Sequence, residues 1–454
     1  MDLEQYIRSL QGKRIAVVGV GVSNLPLLRL LAARGCDVTA CDKSSAEALG
    51  GIFEELSALG VKFILGPQYL DRLDFDVVFR TPGLHPAKLA SAVRSDTVVT
   101  SEMEAFFALC PCRTIAITGS DGKTTTSTLI AELLRAEGYT VHLGGNIGKP
   151  LLCELPAFSP QDVAVLELSS FQLHSMRCRP DVAVITNLSP NHLDVHPDFA
   201  DYVAAKKQIF LEQGGDCRLV LNLDNEITRS LAQEAASEVF WFSRSCIPEK
   251  GYGFRDGMIC RGEECFLAAK DILLPGLHNV ENYMAAFCAV DGLVSRETCR
   301  QIARTFPGVE HRIELIRTLR GVRYYNDSIA SSPTRTIAGL RSFDQKLILI
   351  AGGHDKLVPF DALGAEIVQR VKVLFLVGET AEKIRAAVLA APGYDADTLP
   401  VVILPTLKDA VDAAAAAARE GDAVILSPAC SSFDQFKNFV ERGLTFRRLV
   451  EDLK

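Results

Sequence analysis

The sequence predicts an α/β protein in three parts, each a parallel sheet flanked by helices. Three observations carry that expectation. Short β-branched runs end in glycine-bearing loops and lead into helical stretches at KRIAVVGVG (13–21), TIAITGSDGKT (114–124) and KLILIAGGHDK (346–356). The length, 454 residues, suits about three domains of roughly 150 residues each. The apolar share of 48% and charged share of 23% are those of an ordinary globular chain. The expected domains are 1–102, 103–308 and 309–454, with Phe306-Pro307-Gly308 as the second boundary.

The first part opens with a strand at Lys13–Gly21, a helix over Leu25–Arg34, then Gly35 and a second strand, Cys36–Cys41, with Asp42 at its end. This is a Rossmann-like opening, with an acidic residue where a ribose would be held. Asn24 stands where the fingerprint needs its third glycine, so an NAD-dependent oxidoreductase rests on Gly19 and Gly21 alone. Phe75–Phe79 reads as another strand, with the loop Arg80-Thr81-Pro82-Gly83 at its carboxyl end. Ligands of open parallel sheets lie at such ends. Ser23, Asp42 and Gly83 are therefore contacts for a nucleotide-like group, or else turn and capping residues.

The second part is organised around residues 114–138. The run Thr114–Thr118 predicts a buried strand, and the stretch after it a helix ending near Gly138. Between them Gly119, Ser120, Asp121, Gly122, Lys123, Thr124 and Thr125 form a P-loop of shortened spacing, since Ile117 stands where the usual pattern has its first glycine. Backbone N–H groups and the helix N-terminus would face an anion, Lys123 would add a point charge, and Thr124 would place a hydroxyl at Mg²⁺. Val141–Gly148 gives a strand and a turn holding Asn146 near the loop. Val163–Leu168 carries Glu167 near its end, placed to hold Mg²⁺ directly or through water. Val182–Thr186 leads into a polar loop with His192 and Asp194, structural or functional. Tyr202–Leu211 reads as an amphipathic helix, with Lys206 and Lys207 as surface lysines by default. A further helix begins around Leu274–Asn282, where Asn279 and Asn282 share a face.

The last part repeats the pattern. Lys346–Ile350, Val373–Val377 and Ala423–Leu426 read as strands ending in polar loops, and the Ala-rich Ala410–Arg419 as a helix. Lys356 and the pair Ser431-Ser432 are candidate anion contacts, or plain loop polarity.

The net charge of −8 argues against general nucleic-acid binding. No apolar run has membrane-spanning length, and the polar start MDLEQYIRSL is not a signal peptide. The thirteen cysteines include no CxxC pair, so neither a zinc site nor a disulfide framework is expected; thiols in a reducing cytoplasm are.

Taken together, TGSDGKTT (118–125), GGNIG (144–148), LELSSFQL (166–173), NLSPNHLD (187–194), YVAAKKQIF (202–210), LPGLHNVEN (274–282), EHRIE (310–314), YYNDS (324–328), GGHDK (352–356) and SPACSSFDQFKNFVERG (427–443) resemble the Mur ligase family in order and spacing. The terminal stretch is similar to its D-glutamate-adding branch. The Asp-Asn-Pro-Arg signature of the diaminopimelate- or lysine-adding branch is absent from the sequence.

The resemblance implies a Rossmann-like domain binding a UDP-sugar, a P-loop domain binding ATP and Mg²⁺ (two ions), and a Rossmann-like C-terminal domain binding an amino acid. It implies ATP-dependent joining of D-glutamate to UDP-N-acetylmuramoyl-L-alanine through an acyl phosphate, by a cytoplasmic monomer. It matches Asn146 to a residue near the acceptor, His192 to a metal ligand, and Lys206 to a lysine carbamylated by CO₂. It matches Asn279, Arg312 and Asp327 to ATP contacts, and Val22, Ser23, Asp42 and Gly83 to the nucleotide-sugar site. It matches Ser331, Lys356, Ser432, Phe433 and Phe439 to the amino-acid site. Ile329 departs from the branch, which has a lysine there, and Arg335 is the nearby cation able to compensate. Another Mur branch or a folate polyglutamate ligase using a different amino acid, and a nucleotide-dependent switch without acceptor, are the competing readings.

Overall fold

The computed structural model describes residues 1–190, 196–356 and 358–454. The chain divides into two compact units, Met1–Lys270 with Glu281–Ile302, and Asp271–Val280 with Ala303–Lys454. Three sheets account for the three α/β parts, two in the first unit and one in the second.

The first sheet holds β1 (Arg14–Val18), β2 (Asp37–Asp42), β3 (Lys62–Leu65), β4 (Val77–Phe79) and β5 (Val98–Thr100), in the order β3-β2-β1-β4-β5. All its pairings are parallel. Residues Ile15 to Val18 are fully buried because helices cover both faces of a parallel sheet. The chain reverses direction across the sheet between β1 and β4, which opens a crevice at their carboxyl ends.

The second sheet runs β14-β13-β12-β11-β10-β9-β6-β8-β7. Its strands are β6 (Arg113–Thr118), β7 (Val141–Gly145), β8 (Val163–Glu167), β9 (Val182–Ile185), β10 (Arg218–Asn222), β11 (Glu238–Ser243), β12 (Gly251–Arg255), β13 (Met258–Arg261) and β14 (Glu264–Ala268). Strand β6 lies between β8 and β9, so whatever follows β6 is flanked by the ends of both. The last three strands form an antiparallel meander that the sequence reading did not anticipate. In it Cys260 and Cys265 face each other across the hairpin and are joined as a disulfide. That corrects the expectation of unpaired thiols at this one place: directly opposed cross-strand positions bring two Cβ atoms within bonding reach. The other described cysteines are free.

The third sheet, in the second unit, orders β15 (Glu314–Leu319), β16 (Val322–Asn326), β17 (Leu347–Ala351), β18 (Val371–Leu376), β19 (Val401–Ile403) and β20 (Ala423–Leu426) as β15-β16-β20-β17-β18-β19. Only β15 is antiparallel, and Leu347–Ala351 is fully buried at the centre. The Ala-rich helix spans Leu407–Ala417, with Thr406 as its cap. Among the described residues, no helix is long and apolar enough to cross a membrane.

Candidate active site

Strand β6 ends at Thr118, and the loop that follows turns sharply into the helix Lys123–Ala136. Two glycines make the turn possible. Gly119 has φ 149°, and a Cβ there would lie 1.9 Å from Thr186 Oγ1. Gly122 is left-handed at φ 76°, and a Cβ there would meet Asn282 Oδ1 at 2.3 Å. Asn187, after β9, steadies the outer wall: its carbonyl accepts from Ser120 N–H at 2.9 Å and its Oδ1 from Asp121 N–H at 3.0 Å. Lys123 folds back over the loop, its Nζ donating to the carbonyls of Gly119 (2.9 Å) and Ser120 (3.0 Å). The first turn of the helix carries Thr124, half-buried, and the more buried Thr125.

Glu167 ends β8 and is 1% exposed. Its Oε1 accepts from Asn146 Nδ2 at 2.8 Å, and Asn146 N–H donates to the Glu167 carbonyl at 2.7 Å. Gly145 permits that approach, since a Cβ there would lie 2.2 Å from the same carbonyl oxygen. Glu167 Oε2 is buried with no hydrogen-bond partner. A buried, unpartnered carboxylate oxygen is costly unless a cation completes it. An oxygen donor set with a threonine hydroxyl nearby suits a hard divalent ion such as Mg²⁺.

Lys206 is the largest departure from the sequence reading. The helix Phe199–Lys207 begins earlier than expected, because Asp198 caps it by accepting from Asp201 N–H, and it ends at Lys207. Lys206 then points inward and is 1% exposed, whereas Lys207 stays near the surface, paired with Glu234. Lys206 Nζ donates to Thr118 Oγ1 (3.1 Å) and to the Gly119 carbonyl (2.8 Å). Burial, reinforced by the neighbouring Lys123 charge, pushes its pKa well down, against the opposing pull of Glu167 and Asp121. Tyr202, one turn earlier, hydrogen-bonds Ser120 Oγ at 3.0 Å and lies under the Lys206 ammonium. Thr118, Asn187 and Tyr202 were not singled out from the sequence; their roles depend on pairings between distant strands. His192 and Asp194 lie outside the described residues.

His85, His174 and Asp201 also converge closely enough for a metal. Proton accounting opposes that reading. His85 Nδ1 accepts from Ala87 N–H, which leaves the ring proton on Nε2, and His174 Nε2 meets both oxygens of Asp201. His196 Nδ1 takes the same carboxylate at 2.6 Å, so Asp201 is already satisfied.

At the switch point of the first sheet, the glycine turn is closed by side chains. Asn24 Nδ2 donates to the carbonyls of Val18 (2.9 Å) and Gly19 (3.3 Å). Asp42 Oδ2 accepts from Val20 N–H (2.7 Å) and Oδ1 from Ser44 N–H (2.8 Å). Partial burial pushes the Asp42 pKa up, but the hydrogen bonds from Ser44 and Val20, with the Lys43 charge, together outweigh it and the net shift is downward. Here capping chemistry occupies the residue. Ser23 lines a cavity shared with Arg80, Glu102, Gly145 and Gln172, whereas Val22 and Gly83 are exposed.

In the second unit, Asp327 is fully buried; Oδ2 accepts from Ser427 Oγ at 2.7 Å and Oδ1 from Ile313 N–H at 3.3 Å. Burial raises its pKa to about 7. Arg312 follows His311, which has φ 64°, and its charge acts on Asp327. Asn279 Nδ2 donates to the Pro275 carbonyl at 2.6 Å. Lys356 Nζ donates to the Ser331 carbonyl at 3.0 Å, and Arg335 Nη1 to the Ile329 carbonyl at 3.4 Å. Ser432 is buried, Phe433 is 68% exposed, and Phe439 meets the edge of the His311 ring. Arg442, unread from the sequence, is buried and binds Ser328, Cys430 and Ser431, tying the carboxyl ends of β16 and β20 together.

A phosphate-type loop between two parallel strands, beside a buried carboxylate with one oxygen open, defines an α/β enzyme of the P-loop kind. The chain belongs to the Mur ligase family: residues 117–290 match the Mur ligase middle domain and residues 311–430 the Mur ligase, glutamate ligase domain. It is 49% identical to the UDP-N-acetylmuramoylalanine--D-glutamate ligase of Acetivibrio thermocellus, over 100% of this chain and 99% of that one. The ligases of the same name from Ruminiclostridium cellulolyticum and Clostridium novyi are also 49% identical, with the same coverage. In fold it is similar to UDP-N-acetylmuramate-alanine ligase MurC from Thermotoga maritima (TM-score 0.59, 16% identity, 97% of this chain and 100% of that chain). It is likewise similar to MurF ligase from Thermotoga maritima in complex with ADP (TM-score 0.54, 16% identity, 98% and 96% covered).

Proposed function

We propose that this protein joins D-glutamate to UDP-N-acetylmuramoyl-L-alanine at the expense of ATP, releasing ADP and phosphate, as a cytoplasmic monomer serving peptidoglycan synthesis. The name shared by relatives at 49% identity over the whole chain supports the substrates. The observation that carries the chemistry is the pairing of the Lys123 loop with the open oxygen of Glu167. In this reading residues 1–102 bind the nucleotide sugar, 103–308 ATP, and 309–454 the amino acid.

The difficulty of the reaction is electrostatic: a carboxylate must attack a triphosphate. Lys123, the loop amides and the start of the helix Lys123–Ala136 present positive charge to the phosphates. Bound Mg²⁺, two ions in this reading, would neutralise phosphate charge. Thr124, Glu167, His192 and a carbamylated Lys206 are the groups to hold it. The structure gives a motive for that modification: Lys206 is held toward its neutral, nucleophilic form, and a carbamate would turn a repelling ammonium into an anionic oxygen donor. Asn146, fixed by Glu167, faces the acceptor.

The acceptor carboxylate oxygen bonds to the γ-phosphorus as the bond to ADP breaks. The D-glutamate amine then attacks the acyl carbon, loses a proton, and phosphate leaves. Lys356 and Arg335 bracket the segment Ile329–Ser331 and supply the cations that a dicarboxylic amino acid needs. Arg335 thereby stands in for the lysine missing at Ile329.

The test is phosphate release with ATP and UDP-N-acetylmuramoyl-L-alanine, with and without D-glutamate, across an amino-acid panel. The expected result is rapid release that requires the acceptor and D-glutamate together. Equal release with another amino acid, or with a folate acceptor, would reassign the substrate. Release indifferent to any acceptor would leave only a nucleotide switch.

A further inference from the structure

Arg80 is the largest fully buried cation of the first unit, 2% exposed, and the reading above gives it no task. It stands one residue past β4 and, among the described residues, hydrogen-bonds only to backbone carbonyls. Nη1 donates to the carbonyls of Thr81 (3.2 Å), Pro82 (3.2 Å) and Leu84 (2.7 Å), all in its own loop. Nη2 crosses to the second sheet and donates to the carbonyls of Phe171 (2.9 Å) and Gln172 (3.4 Å). Those belong to the short helix Ser170–Leu173, which starts three residues beyond Glu167 and whose N-terminal end is locked by a capping box between Ser169 and Gln172. On the near side the loop is pressed against the first glycine turn, where a Cβ on Gly19 would lie 2.9 Å from Thr81 Cβ. Among the described residues no carboxylate is in ion-pair contact with Arg80; Glu104 acts on it only through its charge, at longer range. One face of the side chain lines the cavity between the two sheets, with Ser23, Glu102, Gly145 and Gln172.

A guanidinium suits this position because its planar fork reaches carbonyls on two sides at once, which a lysine ammonium cannot do. Burying a charge with no carboxylate in contact is costly, and a surface loop needs no such anchor. We infer that Arg80 is a positioning residue: its fork holds the loop Thr81–Leu84 at a fixed distance from the segment that follows Glu167. The nucleotide sugar held by the first sheet is thereby kept in reach of phosphoryl transfer in the second. This rests on the proposal that the acceptor binds at the first sheet.

The experiment compares wild type, Arg80→Lys and Arg80→Met in acceptor-dependent phosphate release, with ATP binding measured separately. Arg80→Lys keeps the charge and loses the fork. Both variants are expected to raise the acceptor KM about tenfold or more, the scale of one hydrogen bond from a charged group. The Kd for ATP should stay within about twofold, since Arg80 touches nothing in the phosphate loop. Wild-type acceptor KM in Arg80→Lys would overturn the inference, because charge without the fork would then suffice. A parallel rise in the Kd for ATP would also overturn it, by marking general loosening. A second measurement needs no variant. Hydrogen exchange on wild type should show the acceptor protecting segments 81–84 and 170–174 together, and protection confined to 81–84 would count against coupling. Absence of any acceptor-dependent turnover in wild type would sink the functional reading beneath, which is a separate failure.

Discussion

The turn after β1 and the loop after β6 share one backbone grammar: buried strand, glycines, helix. Their amides have different fates. After β6, the neutral Asn187 takes the Ser120 and Asp121 amides, Gly119 and Gly122 set the turn and Lys123 lies over it, an arrangement suited to an anion. After β1, Asp42 already takes the Val20 amide and Asn24 fills the turn, so the protein supplies its own anion. A glycine turn therefore shows where a ligand could lie. The neighbouring side chains decide whether that ligand is a phosphate or whether the turn caps itself.

The largest break in the comparison is Lys123→Met. It removes the cation folded back over the loop, and turnover should fall about a thousandfold, the scale of losing a preorganised charge stabiliser. A loss of under tenfold would make the two turns equivalent. Next is Lys206→Ala, expected to cost roughly a hundredfold in turnover. Short carboxylates such as acetate should partly restore it if a carbamate is the working form; full activity without additive would exclude that role.

Asp42→Ala sharpens the contrast from the other side. It leaves the Val20 and Ser44 amides without their acceptor, costing about 1 kcal/mol and a few degrees in thermal midpoint. The Kd for ATP should not change.

The smallest effect is a pH dependence. Glu102 accepts from Leu152 N–H at 2.8 Å, and burial raises its pKa to about 7 from the ordinary 4.5. The folded state thus holds this proton between pH 4.5 and 7 while the unfolded state releases it. Its contribution to stability is full below pH 4.5 and is lost as pH rises through 7. Glu102→Gln should flatten that part of the thermal midpoint profile, and a profile unchanged by the substitution would refute the assignment.

Much of this organisation is legible in the sequence because it is local. Continuous apolar runs ending in polar or glycine-bearing loops locate β6, β8, β17 and β20 to within a residue. The phosphate loop and Glu167 stand out for the same reason: each needs only a strand and its own end. What was hidden is long-range. Nothing local distinguishes Lys206 from Lys207, yet one is buried beneath the loop and the other pairs with Glu234 at the surface. Arg80 and Arg442 bind carbonyls, which every residue has, so no partner residue betrays them. The meander β12–β14 escaped because its short strands are interrupted by charge and turn residues.

In the proposed reaction the Lys123 loop activates an acceptor carboxylate by promoting its phosphorylation. The most direct measurement uses UDP-N-acetylmuramoyl-L-alanine carrying ¹⁸O in its terminal carboxylate, with ATP and D-glutamate, and mass analysis of the released phosphate. The account expects one ¹⁸O atom in each phosphate formed. Phosphate free of ¹⁸O, from turnover that still yields the D-glutamyl product, would contradict it.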